Sequence, residues 1–533
     1  MSKCYLTTPI YYVNDRPHIG HCYTTTVGDV AARYQRLFGR EVFFLTGTDE
    51  HAEKVVTAAQ EHGLTPAQWA DRNAAEFRAA FALLNISNDD FIRTSQARHI
   101  ERVLRYIAKL QEHGDVYQGD YTGWYDTSQD EYLTETVAKE SGFNSPVTGR
   151  PLVKRTEKNY FFKLSAYQDR LRKHIADNPD FIMPEARRNE VIGRLDAEEG
   201  LRDIPISRAS GGGVGGWGIP MPADPGHRIY VWIDALFNYL SVVDTENRRE
   251  FWPPSAHFLA KDILWFHAVV WPCMLMALGE PLPRSVYAHA YWVRDGRKMS
   301  KSLGNFVDLD VIRGYVARYS RDAFRYFLIT HGPLGSTDAD FAHAKFVEVY
   351  NSELANGIGN ATSRVANMIA KYFDGRVPDP AGVERHREHD WPSICRAAVE
   401  AAIARADSFD LRGAVDQAVG LVRRVDGYIN LTEPFKLAKT IEKNPAAKGE
   451  LAAILYHCAE ALRVASLLFA PVIPDAMGTL WKRWGLAAPD PASGDTLARL
   501  AAWGGLKPGT AIDKGEAGLF MRADPAEAAP GPA

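Results

Sequence analysis

The order of its predicted elements is the feature that most constrains how this chain folds. Up to about residue 340, short apolar runs alternate with stretches of helical spacing. The run Glu41–Thr46 is bounded by Gly39 and Gly47, which is typical of a buried parallel strand. Strands that alternate with helices predict an α/β fold built on a parallel sheet. The other predicted strands are 229–233 and 285–289, and the predicted helices are 19–38, 101–112 and 263–278.

Beyond that point the pattern changes, and the chain divides into several domains. At 533 residues it is too long for a single hydrophobic core. Residues 116–227 interrupt the alternation and look like an insertion between two halves of the sheet domain. Long amphipathic helices at 342–372, 394–407, 411–429 and 450–469 predict a separate bundle. The resulting boundaries are 1–115, 116–227, 228–295, 296–340, 341–510 and 511–533, the last ending in an Ala/Pro-rich tail predicted to be disordered.

Charge and cysteine usage exclude some classes of protein. A net charge of −4 gives no overall signal for nucleic acid, so RNA would have to bind through local basic patches. The five cysteines are scattered without paired spacing, which argues against disulfides and against a cysteine zinc site. No membrane-length window lacks charge, and the N-terminus lacks the pattern of a signal peptide. We therefore expect a cytoplasmic protein with no membrane partner.

A first short motif, His18-Ile19-Gly20-His21, stands where a loop gives way to a helix. Helix N-termini present free N–H groups, and two imidazoles one turn apart can donate hydrogen bonds to phosphate oxygens. Gly20 would let a nucleotide approach the backbone. Taken alone, the motif also fits the start of a surface helix. The glycine run 211–216 lacks the Lys-Ser/Thr of a phosphate-binding loop and is interpreted as a flexible surface loop.

A second motif lies far downstream and consists of Lys298, Met299, Ser300, Lys301 and Ser302. Two lysines that flank small hydroxyl residues fit a mobile cationic loop able to neutralise a leaving pyrophosphate. The same residues alone would also fit a solvated charged turn. The presence of both motifs in one chain makes a coincidence implausible.

Together these motifs resemble the class I aminoacyl-tRNA synthetases, and further segments narrow the resemblance to the methionyl-tRNA synthetase family. These segments are Thr8–Asn14, Thr46–His51, Tyr230–Ala235 and Lys261–His267. The resemblance runs through most of residues 4–370 and more thinly to about 470. It implies a Rossmann-type parallel sheet domain split by a connective insertion, followed by an α-helical anticodon-binding bundle. It also implies ATP-dependent formation of methionyl-adenylate and transfer of methionine to the 3′ end of tRNA(Met), for both initiation and elongation.

The resemblance assigns roles to individual residues. Catalysis is assigned to His18, His21, Lys298, Lys301 and Arg208, and ATP binding to these imidazoles and lysines with Gly20, Met299, Ser300 and Ser302. Methionine binding is assigned to Ile10, Tyr12, Asp49, Trp232, Ala235, Tyr239, Asp262, Ile263, Phe266 and His267. Each apolar member of this set could instead be plain core. Asp49, expected to meet the substrate ammonium, could instead cap a helix, and Asp262 and Arg208 could form ordinary salt bridges.

The chain departs from the family pattern where many members carry a zinc knuckle. The positions of the four cysteines are occupied by Asp126, Gln129, Ser145 and Thr148, which cannot form a tetrahedral thiolate site. We therefore expect no structural zinc, and a knuckle region that keeps its fold by packing around Trp124, Tyr125 and Tyr132. Mg²⁺ is expected to accompany ATP, although the sequence shows no dedicated cage for it.

The helical half is expected to contact the anticodon of tRNA(Met). Asn360 and Arg364 lie four residues apart, hence on one helix face, and match the family's anticodon-contacting pair. Phe435 follows Glu-Pro where many members place a tryptophan, so it could stack on a base or belong to the core. Asn360 and Arg364 could instead lie on a solvated helix face that contacts no RNA. No dimerisation domain is evident after the bundle, so we expect a monomer.

Three alternatives remain open from the sequence. One is a class I synthetase for another amino acid, although the insertion is too short for the editing domain of the isoleucine, valine and leucine enzymes. Another is a small-molecule nucleotidyltransferase that shares the first motif. The last is a non-catalytic tRNA-binding protein, which the intact histidines and lysines disfavour.

Overall fold

A computed structural model describes residues 2–129, 131–133, 135–197, 200–210, 216–294, 296–299, 305–380 and 389–531. In chain order the strands are β1 (Lys3–Tyr12), β2 (Glu41–Asp49), β3 (Asp90–Arg93), β4 (Val116–Asp126), β5 (Glu131–Leu133), β6 (Val153–Phe162), β7 (Ile182–Met183), β8 (Ile204–Pro205), β9 (Ser207–Ala209), β10 (Pro220–Met221), β11 (Asp224–Ile229), β12 (Ala256–Ala260), β13 (Val286–His289), β14 (Trp292–Arg294), β15 (Arg297–Lys298) and β16 (Ala339–Asp340).

The helices before the bundle are α1 (Ile19–Leu37), α2 (Glu53–Glu61), α3 (Pro66–Leu83), α4 (Ala97–Glu112), α5 (Glu135–Glu140), α6 (Gln168–Asp177), α7 (Glu185–Leu195), α8 (Val231–Leu236), α9 (Asn238–Ser241), α10 (Trp271–Leu278), α11 (Leu309–Tyr319) and α12 (Arg321–His331). Those that follow are α13 (His343–Val349), α14 (Asn360–Tyr372), α15 (Trp391–Asp407), α16 (Leu411–Thr432), α17 (Pro434–Ala438), α18 (Ala447–Phe469), α19 (Pro474–Arg483) and α20 (Leu497–Leu500). Two π-helical stretches, Phe266–Val270 and Tyr350–Gly359, lead into α10 and α14.

The central element is a six-stranded sheet in the order β3-β2-β1-β12-β13-β7, and its neighbouring strands pair in parallel. β1 and β2 are buried over most of their length, as expected of parallel strands inside an α/β protein. The carboxyl ends of these two strands lie side by side, with Tyr12 in register with Asp49. Ligands of open α/β sheets bind at this edge, so the topology itself indicates where a site would form.

The predicted insertion, residues 116–227, contains two different kinds of structure. Strands β4, β5, β6 and β8 form an antiparallel sheet in the order β5-β4-β6-β8. Between β6 and β8 the chain returns to the central sheet, where β7 pairs in parallel with β13. The sequence pattern did not predict this return, since β7 has only two residues and gives no periodic signal. Residues 211–215 of the glycine run lie outside the described part of the chain.

One predicted strand, 229–233, is wrong. β11 ends at Ile229, and the chain then turns into the short helix α8, in which the N–H groups of Ile233 and Asp234 donate to the carbonyl of Tyr230. A buried apolar run of five residues has the same periodicity in a buried helix as in a buried strand. The strand that joins β1 in the sheet is instead β12, which the sequence pattern did not reveal.

Helix α1 connects the sheet domain to the helical bundle. Its buried Asp29 pairs at 2.7 Å with the fully buried Arg325 of α12. The guanidinium of Arg325 also donates to the carbonyls of Leu84, Pro471 and Val472, at 2.9 to 3.0 Å. Nearer the end of α1, the hydroxyl of Tyr34 donates to the carbonyl of Leu468 at 2.9 Å. Buried polar contacts therefore fix α1 against the bundle.

The bundle follows the predicted helices closely. The predicted helix 342–372 is present, although the π-helical stretch 350–359 interrupts it. Among the described residues, α18 has the length and apolar content of a membrane span, but 94% of its apolar window is buried inside the molecule. It packs against α14, α15, α16 and α17, as the central helix of the bundle.

The C-terminal segment runs back across α11 and the stretch 343–359. The hydroxyl of Tyr350 donates to the carbonyl of Met521, and Asn351 exchanges two hydrogen bonds with the backbone of Ala523. Arg318 donates to the carbonyl of Ala528. Of these contacts, only that of Ala528 falls in the tail predicted to be disordered, residues 524–533. That prediction rested on composition, which carries no record of a side chain from another element.

Candidate active site

The carboxyl edge of the central sheet opens into a cavity of about 560 Å³. Its wall combines the ends of β1 and β2, the start of α1, the helix α8 and the segment around 260–267. Both halves of the sheet domain therefore contribute to one space. The residues predicted to bind methionine all line it: Ile10, Tyr12, Asp49, Trp232, Ala235, Tyr239, Asp262, Ile263, Phe266 and His267. His18, Gly20 and His21 line it as well.

The first motif forms the N-terminal turn of α1. The N–H of Gly20 donates to Nδ1 of His18 at 3.0 Å, and the N–H of His18 donates to Nδ1 of His21 at 3.3 Å. The two rings lie 3.8 Å apart, and a Cβ on Gly20 would come within 2.9 Å of the His18 ring. A larger residue at this position would therefore have to displace the His18 ring.

These contacts fix the protonation of the two imidazoles. A ring nitrogen that accepts a hydrogen bond carries no proton, so each neutral ring carries its proton on Nε2. Burial, together with the nearby charges of His18 and Lys54, lowers the pKa of His21 well below its usual value. His21 is therefore a neutral ring whose Nε2–H can donate a hydrogen bond to an anionic oxygen.

The chain downstream of the second motif is fixed to the first motif. The N–H of Ile19 donates to the carbonyl of Val307 at 3.0 Å, and His18 and Asp308 form a single antiparallel bridge. The ring of Phe306 lies 5.0 Å from that of His18 and lines the cavity. Two segments that are far apart in sequence thus meet at the mouth of one cavity.

The start of the second motif lies near this cavity. Lys298 ends β15, and its charge acts on Asp262, which lines the cavity. Met299 is partly buried against the core. Ser300, Lys301 and Ser302 lie outside the described residues, so their roles stay predictions.

Aromatic rings form the apolar side of the cavity. Trp232 and Phe266 stack with their centroids 4.2 Å apart and their planes at 4°. Tyr12 meets Trp232 edge-on at 6.1 Å, and the ammonium of Lys54 lies 3.3 Å from the centre of the Tyr12 ring. Such a wall suits a flexible, polarizable thioether side chain. Its members thus face a cavity as well as the core.

A buried tyrosine–histidine pair completes this wall. Nδ1 of His267 lies 2.9 Å from the carbonyl of Ile263, which can only accept, so Nδ1 carries the proton. Nε2 of His267 then accepts from the hydroxyl of Tyr239 at 2.7 Å. Burial lowers the pKa of His267 to about 4. The pair is therefore neutral and fixed in one tautomer at neutral pH.

Asp49 provides a buried carboxylate at the end of β2. Asp49 is only 3% exposed to solvent, and it lines the cavity beside the apolar wall. The alternative role as a helix cap is wrong, because α2 begins at Glu53 and its N-cap is Ala52. The position suits recognition of a small cation by a carboxylate held out of water.

The helix α8 is held by a residue that the sequence patterns did not single out. Asp234 lies between Trp232 and Ala235 and bonds to Nδ1 of His51 at 2.6 Å and to Nε2 of His99 at 2.7 Å. Burial alone would raise the pKa of Asp234, but these two imidazoles outweigh it and lower the pKa. The Asp-Ala pair in the segment Tyr230–Ala235 gave no signal for this partner set, because His51 and His99 come from distant elements.

Arg208 is a predicted catalytic residue that does not line this cavity. It lies on β9, with its guanidinium 4.1 Å from the centre of the Tyr230 ring and 4.6 Å from that of Tyr132. Its assignment to catalysis therefore stays a prediction. Conversely, Lys54, Phe306, Gln129 and Val147 line the cavity although no sequence motif selected them.

The predicted anticodon residues lie in the bundle. Asn360 is exposed at the first turn of α14, and Arg364 is half-buried one turn later. Burial raises the pKa of Asp426 of α16, and the positive charge of Arg364 offsets part of that rise. Phe435 is 39% exposed at the start of α17, so the alternative of a core role is wrong.

Buried histidines make the stability of this site dependent on pH. Burial lowers the pKa of both His267 and His289 to about 4, below the usual value of 6.5. Between pH 6.5 and about pH 4 the unfolded chain binds protons at these histidines and the folded chain does not. The free energy of unfolding is therefore highest above pH 6.5 and falls as the pH drops towards about 4. We expect a loss of about 3 kcal/mol per histidine over this range. Denaturant unfolding measured at several pH values should show it.

The variant His289→Asn provides the comparison for this prediction. It removes one of the titrating rings, so its stability should fall less steeply between about pH 6.5 and pH 4 than that of the unchanged chain. Equal slopes for the two proteins would contradict the assignment of a low pKa to His289.

Comparison with known proteins adds to this geometry. The family model for class I tRNA synthetases (M) matches residues 4–143 and 142–366. The chain is 41% identical to the methionine–tRNA ligase of Caldanaerobacter subterraneus over 98% of its length and 79% of the relative's. It is 40% identical to that of Streptomyces coelicolor, over 98% and 97% of the two chains. This chain belongs to the methionyl-tRNA synthetase family.

A solved structure supports the same conclusion at the level of the fold. Methionyl-tRNA synthetase of Mycobacterium tuberculosis in complex with methionyl-adenylate superimposes with a TM-score of 0.90, at 36% identity, over 98% of this chain and 100% of that one. The ligand-free form of that protein superimposes with a TM-score of 0.83. The family and the α/β fold class with a helical C-terminal half, both predicted from the sequence, are thereby confirmed.

Proposed function

We propose that the enzyme activates methionine with ATP in the cavity at the start of α1 and then transfers the methionyl group to the 3′ end of tRNA(Met). By its family the chain is a class I aminoacyl-tRNA ligase. The observation that carries the substrate assignment is convergence: the first motif, the flank of the second, Asp49 and a stacked aromatic wall all line one cavity. An anion-binding end and an apolar end in one space suit a nucleotide and an apolar amino acid.

In this mechanism the carboxylate of methionine attacks the α-phosphate of ATP and pyrophosphate leaves. Asp49 binds the substrate ammonium, and Trp232 and Phe266 contact the thioether. His18 and His21 donate N–H groups to phosphate oxygens, where charge accumulates in the transition state. Lys298 and Lys301 neutralise the leaving pyrophosphate. Mg²⁺ would be bound mainly by phosphate oxygens and water, because no group of three His, Cys, Asp or Glu suited to a metal occurs among the described residues.

The direct test is ATP–pyrophosphate exchange with each of the twenty amino acids. We expect methionine alone to support rapid exchange, since an aromatic pocket without an editing site discriminates poorly only against close analogues. Rapid exchange with another amino acid and none with methionine would favour the rival class I synthetase. A final product that needs no tRNA acceptor, in place of methionyl-tRNA, would favour the nucleotidyltransferase.

The bundle is proposed to bind the anticodon through Asn360, Arg364 and Phe435. Arg364→Ala should raise the KM for tRNA(Met) about tenfold, because a lost base contact costs roughly 1–3 kcal/mol. Methionine-dependent pyrophosphate exchange should not change, since this step needs no tRNA. A tRNA with an altered anticodon serves as the matched substrate: the preference of the unchanged enzyme for tRNA(Met) should shrink in the variant. A preserved preference would assign Arg364 to a solvated helix face.

We infer that the enzyme contains no structural zinc. The positions that many relatives occupy with cysteines present carboxylate, amide and hydroxyl groups here, whereas structural zinc sites use thiolate and imidazole. Elemental analysis of purified, dialysed protein should find well under about 0.2 zinc per chain. A stoichiometric metal content would contradict this inference.

Oligomeric state and location complete the proposal. We expect a monomer in the cytoplasm. Light scattering of the purified chain should give the mass of one copy, and cell fractionation should recover the enzyme in the cytosolic fraction. A dimer mass or a membrane-bound fraction would contradict these expectations.

A further inference from the structure

The knuckle region of the insertion reaches the active-site cavity. Gln129, which follows β4, and Val147, in the turn before β6, both line the cavity that contains Asp49 and His21. β4 is also bound to α2, because the hydroxyl of Tyr125 donates to Glu53 at 3.3 Å. The substrate cavity therefore has one wall made of two turns rather than of the central sheet.

Polar side chains at and beside the positions where the family pattern has cysteines connect these two turns. Oδ1 of Asp126, which is 1% exposed, accepts from the N–H and the hydroxyl of Ser128 at 2.8 and 2.5 Å. The hydroxyl of Ser128 lies 2.7 Å from that of Thr148. In the second turn, the hydroxyl of Ser145, which is 3% exposed, accepts from the N–H groups of Val147 and Thr148. We name these residues, Asp126, Ser128, Ser145 and Thr148, the hydroxyl clasp.

The position of Gln129 depends on this hydroxyl clasp. Its N–H donates to both the carbonyl and Oδ1 of Asp126 at 3.3 Å, and its side-chain amide donates to the carbonyl of Ser128 at 3.1 Å. Among the aromatic contacts nearby, Tyr125 packs on Tyr132 at 4.9 Å, and Trp124 of β4 packs on Phe143, just before the second turn, at 4.6 Å. Packing thus joins the segments that carry the two turns, and side-chain hydrogen bonds join the turns themselves.

We propose that Asp126 and Ser145 are positioning residues for substrate binding: through the hydroxyl clasp they hold Gln129 and Val147 as a preformed wall of the activation cavity. This inference rests on the proposed function. A wall that is formed only part of the time lowers the apparent affinity for substrate by the fraction formed. Loss of the clasp therefore raises KM more than it lowers kcat.

The test compares Asp126→Ala with Asp126→Asn, which keeps an acceptor oxygen at the same place. In the alanine variant we expect the KM for methionine or for ATP in pyrophosphate exchange to rise about tenfold, with kcat reduced less than about threefold. The asparagine variant should stay within about threefold of the unchanged enzyme in both constants. Ser145→Ala should repeat the effect of Asp126→Ala.

Hydrogen–deuterium exchange provides the second measurement. The amides of Ser128, Gln129, Val147 and Thr148 should exchange faster in Asp126→Ala than in Asp126→Asn, because their acceptors are lost or displaced. An unchanged melting temperature of the bundle and unchanged affinity for tRNA would show that the rest of the molecule is folded. If these amides exchange faster and both KM values stay unchanged, or if exchange does not change, the inference is overturned.

Failure of this inference can be separated from failure of the proposed function. An unchanged enzyme that does not activate methionine would contradict the proposed function itself. An unchanged enzyme that does activate methionine, together with alanine and asparagine variants that behave alike, would contradict only the role of the hydroxyl clasp.

Discussion

Asp49→Asn is expected to lower kcat/KM for methionine by about 10²- to 10³-fold. The carboxylate lies almost fully buried at the end of β2, beside an aromatic wall. Removing one partner of a buried ion pair costs roughly 3–5 kcal/mol, because the other charge is left without compensation. The change is isosteric, so the cavity keeps its shape. Steady-state pyrophosphate exchange with varied methionine measures the effect, and the KM for ATP should stay within about twofold.

A substrate analogue that lacks the amino group gives the matched control for this prediction. The unchanged enzyme should bind methionine far more tightly than the deaminated analogue. In Asp49→Asn that preference should largely disappear, since the carboxylate that distinguishes the two is gone. A variant that keeps the full preference would show that another group binds the ammonium.

Lys301→Ala should slow the exchange of pyrophosphate by about 10²- to 10³-fold, the usual cost of removing one group that stabilises charge in the transition state. The KM for methionine should change little, because the lysine acts on phosphate. Chain geometry supports the assignment: Lys301 is three residues from Lys298, so their Cα atoms lie within about 11 Å. Burial raises the pKa of Asp262 at the cavity, and the positive charge of Lys298 offsets part of that rise. Phe306, on the downstream flank, contacts His18.

Lys345→Ala is the matched control for the lysine variant. Lys345 is exposed in α13 and pairs with Glu348 at 2.9 Å, on a surface outside the cavity. Its removal should leave the exchange rate within about twofold, since an isolated surface pair contributes little. A normal exchange rate in Lys301→Ala would refute the role given to the second motif.

Much of the site follows from the sequence because its residues lie at the ends of predictable elements. His18 precedes a helix with a clear periodic pattern, and Asp49 follows the predicted strand Glu41–Thr46 by three residues. In the structure β1, which leads towards His18, and β2, which ends at Asp49, lie side by side at one edge of the sheet. The sequence pattern did not predict β1, so the resemblance alone brought the two residues together. The apolar wall is different: Trp232 and Phe266 were selected by resemblance, and periodicity alone would have assigned them to the core.

What the sequence missed depends on contacts between distant segments. Gln129 lines the cavity through the turn after β4, and its neighbours in sequence carry no periodic signal. Asp234 holds α8 through His51 and His99, a partner set that only the assembled fold brings together. The mistaken strand at 229–233 has a related cause, because a run of five apolar residues is compatible with two backbone conformations and its burial comes from elsewhere.

Because α1 is attached to the bundle, it restricts the distance between the two regions that are proposed to bind tRNA. At about 1.5 Å per residue, its 19 residues span roughly 28 Å between the imidazole pair and the face of the bundle. A bundle that pivoted freely would have to break the hydrogen bonds that Arg325 donates to the carbonyls of Pro471 and Val472 and that Tyr34 donates to the carbonyl of Leu468. The distance between the imidazole pair and the bundle is therefore nearly fixed, and the tRNA proposed to bind here would have to fit it.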